Sequence, residues 1–362
     1  MQHSISLPRI GMTAAMLAGA MILPDRVAFP DGLTTGGTLE TIAFGSCLHQ
    51  GKRQPVWDAI TRQRPDLFLF IGDNVYADTR DPRVMRARYA RLATQPGYRR
   101  LSELSPVLAT WDDHDYGEND AGAEYPMKEE SERIFLDFFN VPAGAPARTR
   151  PGIYSSRIFG QSPRRVQVLL LDTRYFRSAL KRSPPDMDCP RGGYAPDEDP
   201  DSTLLGEAQW RWLAGELAKP AELRVLVSSI QVIPDRHCYE KWSNQPLERD
   251  RLFRLIRDTG ANGLIVLSGD RHFADISRLE RNASGYPLYE VTASGMNVAR
   301  IGKDEPNAYR TIPHSYREDH FGVIEIEWDR SDPVVALRIV DTSGHVAMEK
   351  TLHLGDLQTQ RR

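Results

Sequence analysis

Four times along this chain an apolar run stops at small or turn-forming residues, and a side chain able to bind a cation follows at once. Residues 39–44 lead into Gly45-Ser46-Cys47, and residues 66–71 into Gly72-Asp73-Asn74-Val75-Tyr76. Residues 106–110 lead into Trp111-Asp112-Asp113-His114-Asp115, and residues 263–268 into Gly269-Asp270-Arg271-His272. Short runs this apolar read as strands covered on both faces. Glycine lets the backbone turn tightly where each run ends. In open α/β sheets, ligands collect beyond the carboxyl ends of the strands. If the four strands lie side by side, Cys47, Asp73, Tyr76, Asp113, His114, Asp270 and His272 meet at one edge.

The segments between these runs predict an α/β chain. Helical spacing appears over residues 53–64, 83–93, 128–139, 206–217 and 247–259, the last followed by Gly260 as a C-cap. Further strands are expected over residues 165–171, 225–233, 289–292, 322–328 and 334–340. The alternation Ile324-Glu325-Ile326-Glu327 suggests that the last of these close the fold in antiparallel fashion. Residues 183–203, rich in Pro, Gly and Asp, read as a long loop. With no internal repeat and no clear linker, residues 38–355 are expected to form one domain with a mixed sheet system.

Residues 111–120 hold five acids, one His and one Asn. Like charges this close repel, and a multivalent cation would remove the repulsion while depressing the carboxylate pKa values. The alternative is an acidic loop without a metal. Thiolate and phenolate are strong donors to a trivalent ion, so Cys47 and Tyr76 read as ligands; each could instead be core packing. Asp112 and Asp115 suit supporting or loop-capping roles. Asp172 and Arg174 suggest a structural ion pair. His237, His314, His320 and His345 read as surface or loop residues, His49 is open, and Trp210 and Trp212 read as core packing.

The formal net charge is −3, with Lys and Arg scattered, which argues against a nucleic-acid surface. Residues 11–23 are small and apolar and follow Arg9, as in a secretory signal without a twin-Arg motif. Residues 1–37 are therefore expected to be leader and linker, giving a periplasmic or secreted chain with no membrane span once the leader is removed. There are three cysteines. Cys189 and Cys238 lie in polar, Pro-containing sequence and are the pair open to a disulfide in an exported chain.

The ordered set Gly45-Ser46-Cys47, Gly72-Asp73-Asn74-Val75-Tyr76, Trp111-Asp112-Asp113-His114-Asp115 and Gly269-Asp270-Arg271-His272 resembles the PhoD-like alkaline phosphatases of the calcineurin-like metallophosphoesterase superfamily. Leu171-Asp172-Thr173-Arg174 and the segment over residues 205–213 also look like that family. The resemblance implies a metallophosphatase-type two-sheet sandwich flanked by helices, with metals at the sheet edge. It implies hydrolysis of small phosphate esters, monoesters or diesters, by a metal-activated hydroxide, with Fe3+ and Ca2+ as cofactors. Carried over, Cys47, Asp73 and Tyr76 would bind the ferric ion. Asp73 would bridge to a second metal helped by Asp113, Asp270 and His272, with Asn119 a further ligand. His114 would stand beside the leaving group. On chemistry alone, Arg174 or Arg271 could pair with phosphate oxygens bidentately, or both could be structural. The small β-domain that some members carry ahead of Gly45 has no counterpart here, so its gating role is not carried over. A protein that binds metal or phosphate without turnover is the alternative.

Overall fold

A computed structural model describes residues 37–184, 189 and 193–359; the expected leader lies outside the described residues. In chain order the first half comprises β1 (Thr41–Gly45), α1 (Val56–Gln63), β2 (Leu67–Ile71), α2 (Pro82–Ala93), α3 (Pro96–Leu104), β3 (Val107–Thr110), α4 (Asp113–Tyr116) and α5 (Lys128–Phe138). Then follow β4 (Ser155–Phe159), β5 (Val166–Leu170), α6 (Gly206–Leu217), β6 (Leu223–Val227) and α7 (Pro246–Asp258). The chain closes with β7 (Leu264–Ser268), β8 (Ala274–Leu279), β9 (Leu288–Ala293), β10 (His320–Glu327), β11 (Val334–Asp341) and β12 (Val346–His353).

The strands form two mixed six-stranded sheets, ordered β12-β11-β10-β1-β2-β3 and β4-β5-β6-β7-β9-β8. The parallel strands β2, β5, β6 and β7 are buried along their whole length, which is why they read as unbroken apolar runs. β10, β11 and β12 add to β1 in antiparallel fashion, as the alternation in residues 324–327 predicts. Both sheets contribute to one continuous hydrophobic core. Among the described residues no helix is long and apolar enough to cross a membrane.

The helices start and stop where local chemistry dictates. Asp81 caps α2 by accepting from the Arg83 amide at 2.9 Å, with Pro82 in the first turn. Arg64 ends α1 in a left-handed conformation just before Pro65. Gly260 follows α7 with φ +65°.

The four ligand-bearing strands do not lie side by side in one sheet. β1, β2 and β3 are neighbours, whereas β7 belongs to the other sheet. The two carboxyl edges meet because Ser46 N–H donates to the Ala293 carbonyl at 3.0 Å and Thr110 Oγ1 donates to the Leu171 carbonyl at 2.7 Å. The strand expected over 225–233 ends at Val227. Beyond it the Glu290 carboxylate accepts the amides of Val232 and Ile233, replacing ladder bonds with a side chain. The expected segments did not include α3, β4, β8 and β12; the three strands lie at sheet edges, and α3 is a short polar helix that buries Tyr98 and Leu101. The acidic stretch is not a plain loop: Asp113–Tyr116 forms one helical turn, capped reciprocally by Asp112 and Asp115.

Candidate metal centre

Four of the expected ligands sit in a backbone conformation that side chains disfavour. Cys47, Asp73, Asp270 and His272 have φ values of 61°, 50°, 65° and 58°. Such residues cost on the order of 1–3 kcal/mol each and persist only where surrounding contacts hold them. Those contacts are present. The Leu48 amide donates to the Asp73 carbonyl at 2.9 Å, joining the turns after β1 and β2. The His272 amide donates to Ser294 Oγ at 2.7 Å, and that oxygen lies 3.1 Å from Cys47 Sγ. At Gly72, with φ +117°, a Cβ would stand 2.8 Å from the Asp112 Cβ, so only glycine allows this approach.

The turns bring three overlapping groups of donors together, each with its ligand atoms within 4.8 Å of one another. The first is Cys47, Asp73 and His272; the second is Asp73, Asp113 and His114; the third is Asp113, Asp120 and Glu240. Cys47 Sγ lies 3.3 Å from Asp73 Oδ2. The Tyr76 hydroxyl is 3.0 Å from His272 Nε2 and 3.5 Å from Asp73 Oδ2, which adds it to the first group. Asp73 belongs to both the first group and the second. His272 falls with Cys47 and Tyr76 rather than on the far side of Asp73.

The electrostatics of this cluster call for a cation. Burial and the neighbouring Asp73 push the Cys47 thiol well up, and burial does the same to Asp73 and Tyr76. Burial lifts Asp270 to about 6 despite Arg271. Burial and nearby arginines hold His272 down to about 3, so its imidazole is neutral and able to coordinate. These donors can be deprotonated together only if positive charge is supplied. Thiol, phenol and imidazole suit a borderline or trivalent ion, and the carboxylates suit a hard one, so the residues fit metal binding.

His114 stands at the junction. Its ring Nδ1 lies 2.6 Å from Asp78 Oδ1, and its amide donates to Asp113 Oδ1 at 2.9 Å. Burial opposes its charge, but Asp113, Asp73 and Asp78 outweigh that and raise it to about 11. Its ring packs on Tyr76 with centroids 4.2 Å apart.

Other expected residues lie elsewhere. Arg174 does not pair with Asp172 through its charge; only its amide reaches Asp172 Oδ1, at 2.9 Å. Its guanidinium is wholly buried against Asp112, through Nε at 2.7 Å, and against Glu240. That position neutralises two buried carboxylates and leaves no face for substrate. Asp172 instead organises backbone, accepting from Trp111 Nε1 and from the amides of Ile153 and Tyr175. Arg271 is engaged by Asp270 and Glu305. Asn119 is exposed, and its neighbour Asp120 joins the cluster instead. His237 and His320 are buried rather than at the surface. His320 sits at the start of β10, where Nε2 accepts the Ser294 amide at 3.1 Å.

Sequence reasoning missed Asp78, Asp120, Glu240 and Ser294. Asp120 carried a signal, as the last acid of the 111–120 stretch. Ser294 also follows a buried strand directly, β9, whereas Asp78 and Glu240 come from loops with no local pattern. Cys189 and Cys238 are joined by a disulfide, with Cα atoms 5.4 Å apart.

Comparison with known proteins accords with this geometry. Alkaline phosphatase D of Bacillus subtilis (strain 168) is 23% identical over 288 residues, 66% of this chain and 47% of that protein. The chain thus spans about half the length of that curated relative. A solved structure of PhoD superposes with a TM-score of 0.66 at 17% identity, covering 88% of this chain and 73% of the other. At that identity the likeness speaks for the fold. The sequence profile of the PhoD-like phosphatases matches residues 42–332. The chain therefore belongs to the PhoD-like phosphatase family.

Proposed function

We propose that this protein is a metal-dependent phosphoester hydrolase acting on small phosphate esters, mono- or diesters, outside the cytoplasm. The observation that carries the reading is Asp73. Its two oxygens face different donors: Oδ2 lies toward Cys47 and Tyr76, and Oδ1 accepts the amide of His114, 3.3 Å away. Cys47, Tyr76, His272 and Asp73 would hold Fe3+, and Asp73, Asp113 and Asp270 would hold Ca2+. Bound cations would neutralise the buried carboxylates, attract the phosphate and lower the pKa of water.

The chain's own residues supply the rest. His114 is oriented by Asp78, so Nε2 is the nitrogen left to donate a proton to the departing alcohol oxygen. Asp115 holds the turn that carries His114, accepting the amides of Asp112 and Asn74 at 2.7 and 3.1 Å. Arg174 acts as a buried counter-charge to Asp112 and Glu240 rather than as a substrate ligand. The disulfide and the apolar residues 11–23 support export.

The test is hydrolysis of p-nitrophenyl phosphate and bis(p-nitrophenyl) phosphate by the purified protein, before and after chelation and after returning iron and calcium. Turnover lost with chelator and restored by the metals is expected. A metal-loaded protein inert toward both esters would overturn the enzyme in favour of a binding protein. Elemental analysis finding only zinc would overturn the metal assignment.

A further inference from the structure

The Asp120 amide donates to Asp113 Oδ2 at 2.8 Å, so the orientation of Asp113 depends on where residues 118–121 lie. Three side chains pin that turn. Arg177 Nη2 donates to the Asp120 carbonyl at 2.6 Å, Arg174 Nη1 to the Ala121 carbonyl at 3.4 Å, and the Tyr194 hydroxyl to Asp120 Oδ2 at 2.6 Å. The two arginines also serve Glu240, whereas the Tyr194 hydroxyl addresses Asp120.

Tyr194 is itself held from three sides. Its amide donates to the Cys238 carbonyl at 2.8 Å, and its ring lies under the Arg182 guanidinium at 4.7 Å. Gly193 packs so tightly on Cys238 that a Cβ would stand 2.4 Å from that carbonyl. The ring is 6% exposed. It also walls a cavity of about 290 Å3 shared with Asp120, Arg80, Glu124 and Tyr125. Asp120 lines this cavity and its carboxylate lies within 4.8 Å of the Asp113 ligand atom, so the cavity reaches the edge of the donor cluster.

We propose that Tyr194 is a positioning residue: through Asp120 it sets the orientation of Asp113 for cation binding, and its ring walls the pocket that receives the alcohol part of the ester. The proposal rests on the phosphoesterase reading above. A phenol bonded to a carboxylate makes a short, charge-assisted contact. Without it the Asp120 carboxylate is free to turn, and the turn that offers its amide to Asp113 is left to Arg177 and Arg174. Partners of this outer kind typically account for 10–100-fold in metal affinity or activity.

The experiment uses the full, disulfide-intact protein and calcium as probe. Calorimetric titration of Tyr194→Phe is expected to give calcium affinity roughly ten-fold weaker than wild type, with lowered kcat and nearly unchanged KM for p-nitrophenyl phosphate. Tyr194→Ala, which also removes the wall, is expected to raise KM several-fold. In an Asp120→Ala background, Tyr194→Phe is expected to add nothing, because its effect runs through Asp120. Unchanged calcium affinity in Tyr194→Phe, or additive losses in the double variant, would overturn the positioning role. An unchanged KM in Tyr194→Ala would overturn the pocket. Wild-type protein that binds no calcium and hydrolyses no ester would instead overturn the phosphoesterase reading itself.

Discussion

At the scale of single residues, the centre is a problem of buried charge. Arg174 lies wholly inside the protein between Asp112 and Glu240, with Ser229 completing the shell around Asp112 Oδ1. Removing it leaves Asp112 buried without a counter-ion and Glu240 with Arg177 alone. Arg174→Ala is therefore expected to cost about 3–5 kcal/mol in urea denaturation; a loss below 1 kcal/mol would contradict this account. His114 acts differently, since its partner Asp78 is half exposed and its work is on the proton. His114→Gln is expected to lower kcat by roughly 10²–10⁴, most for esters with poor leaving groups, with cation content retained. Cys47→Ala and Tyr76→Phe should each weaken or shift the visible charge-transfer band of the iron-loaded protein. An unchanged spectrum in both would remove them from the ion. His320 provides a pH test. Burial holds it down to about 4, against an ordinary value of 6.5. The unfolded chain therefore takes up the proton first as pH falls. The stability from keeping His320 neutral is complete above pH 6.5 and is lost as pH drops through 4, up to about 3 kcal/mol. His320→Gln should lack that share of the slope, measured as the difference from wild type across pH 4–7.

At the scale of elements, each ligand is delivered by a strand that ends and a backbone that turns sharply. The parallel strands are covered on both faces, so their length and position are set by apolar burial. The turns after them are set by close packing between the two sheets. Gly72 shows why. Its φ of +117° and the 2.8 Å from a Cβ to Asp112 leave no place for a side chain. Gly72→Ala is expected to destabilise the fold by roughly 1–3 kcal/mol and to reduce cation content, because it pushes β2's turn away from Asp112. Normal metal content at wild-type stability would show the turn to be tolerant. β7 belongs to the other sheet, and its neighbour β9 meets the end of β1 through Ser46, Ala293 and Ser294. The short helix α4 is held by Asp112 and Asp115 capping each other's ends, which keeps His114 facing Asp78 and Asp73.

At the scale of the molecule, two sheets share one core and hold a strongly acidic cluster where their carboxyl edges meet. A fold that gathers carboxylates this way is strained by its own charge and relieved by what binds there. Stripping the protein with chelator is expected to lower its melting temperature by several degrees, and adding calcium and iron should restore it. A melting temperature indifferent to both would mean that no cation is linked to folding. The disulfide joins Cys189 to Cys238, and the Cys238 carbonyl holds the amide of Tyr194, whose hydroxyl reaches Asp120.

The sequence by itself determined the α/β class, the short buried strands and the ligand types at their ends. Apolar runs and glycine turns are local in the chain, and burial on both faces leaves a pattern that can be read directly. It also named Cys47, Asp73, Tyr76, Asp113, His114, Asp270 and His272, because each follows such a run. Only the tertiary structure decided which donors lie together. It placed β7 in the second sheet, brought His272 to Cys47 and Tyr76, and put Asp120 in the cluster while leaving Asn119 outside. It sent the charge of Arg174 to Asp112 and Glu240 rather than to Asp172, and it buried His320. These pairings join residues far apart in the chain. They depend on how two sheets and the loops between them pack, and no local periodicity records that.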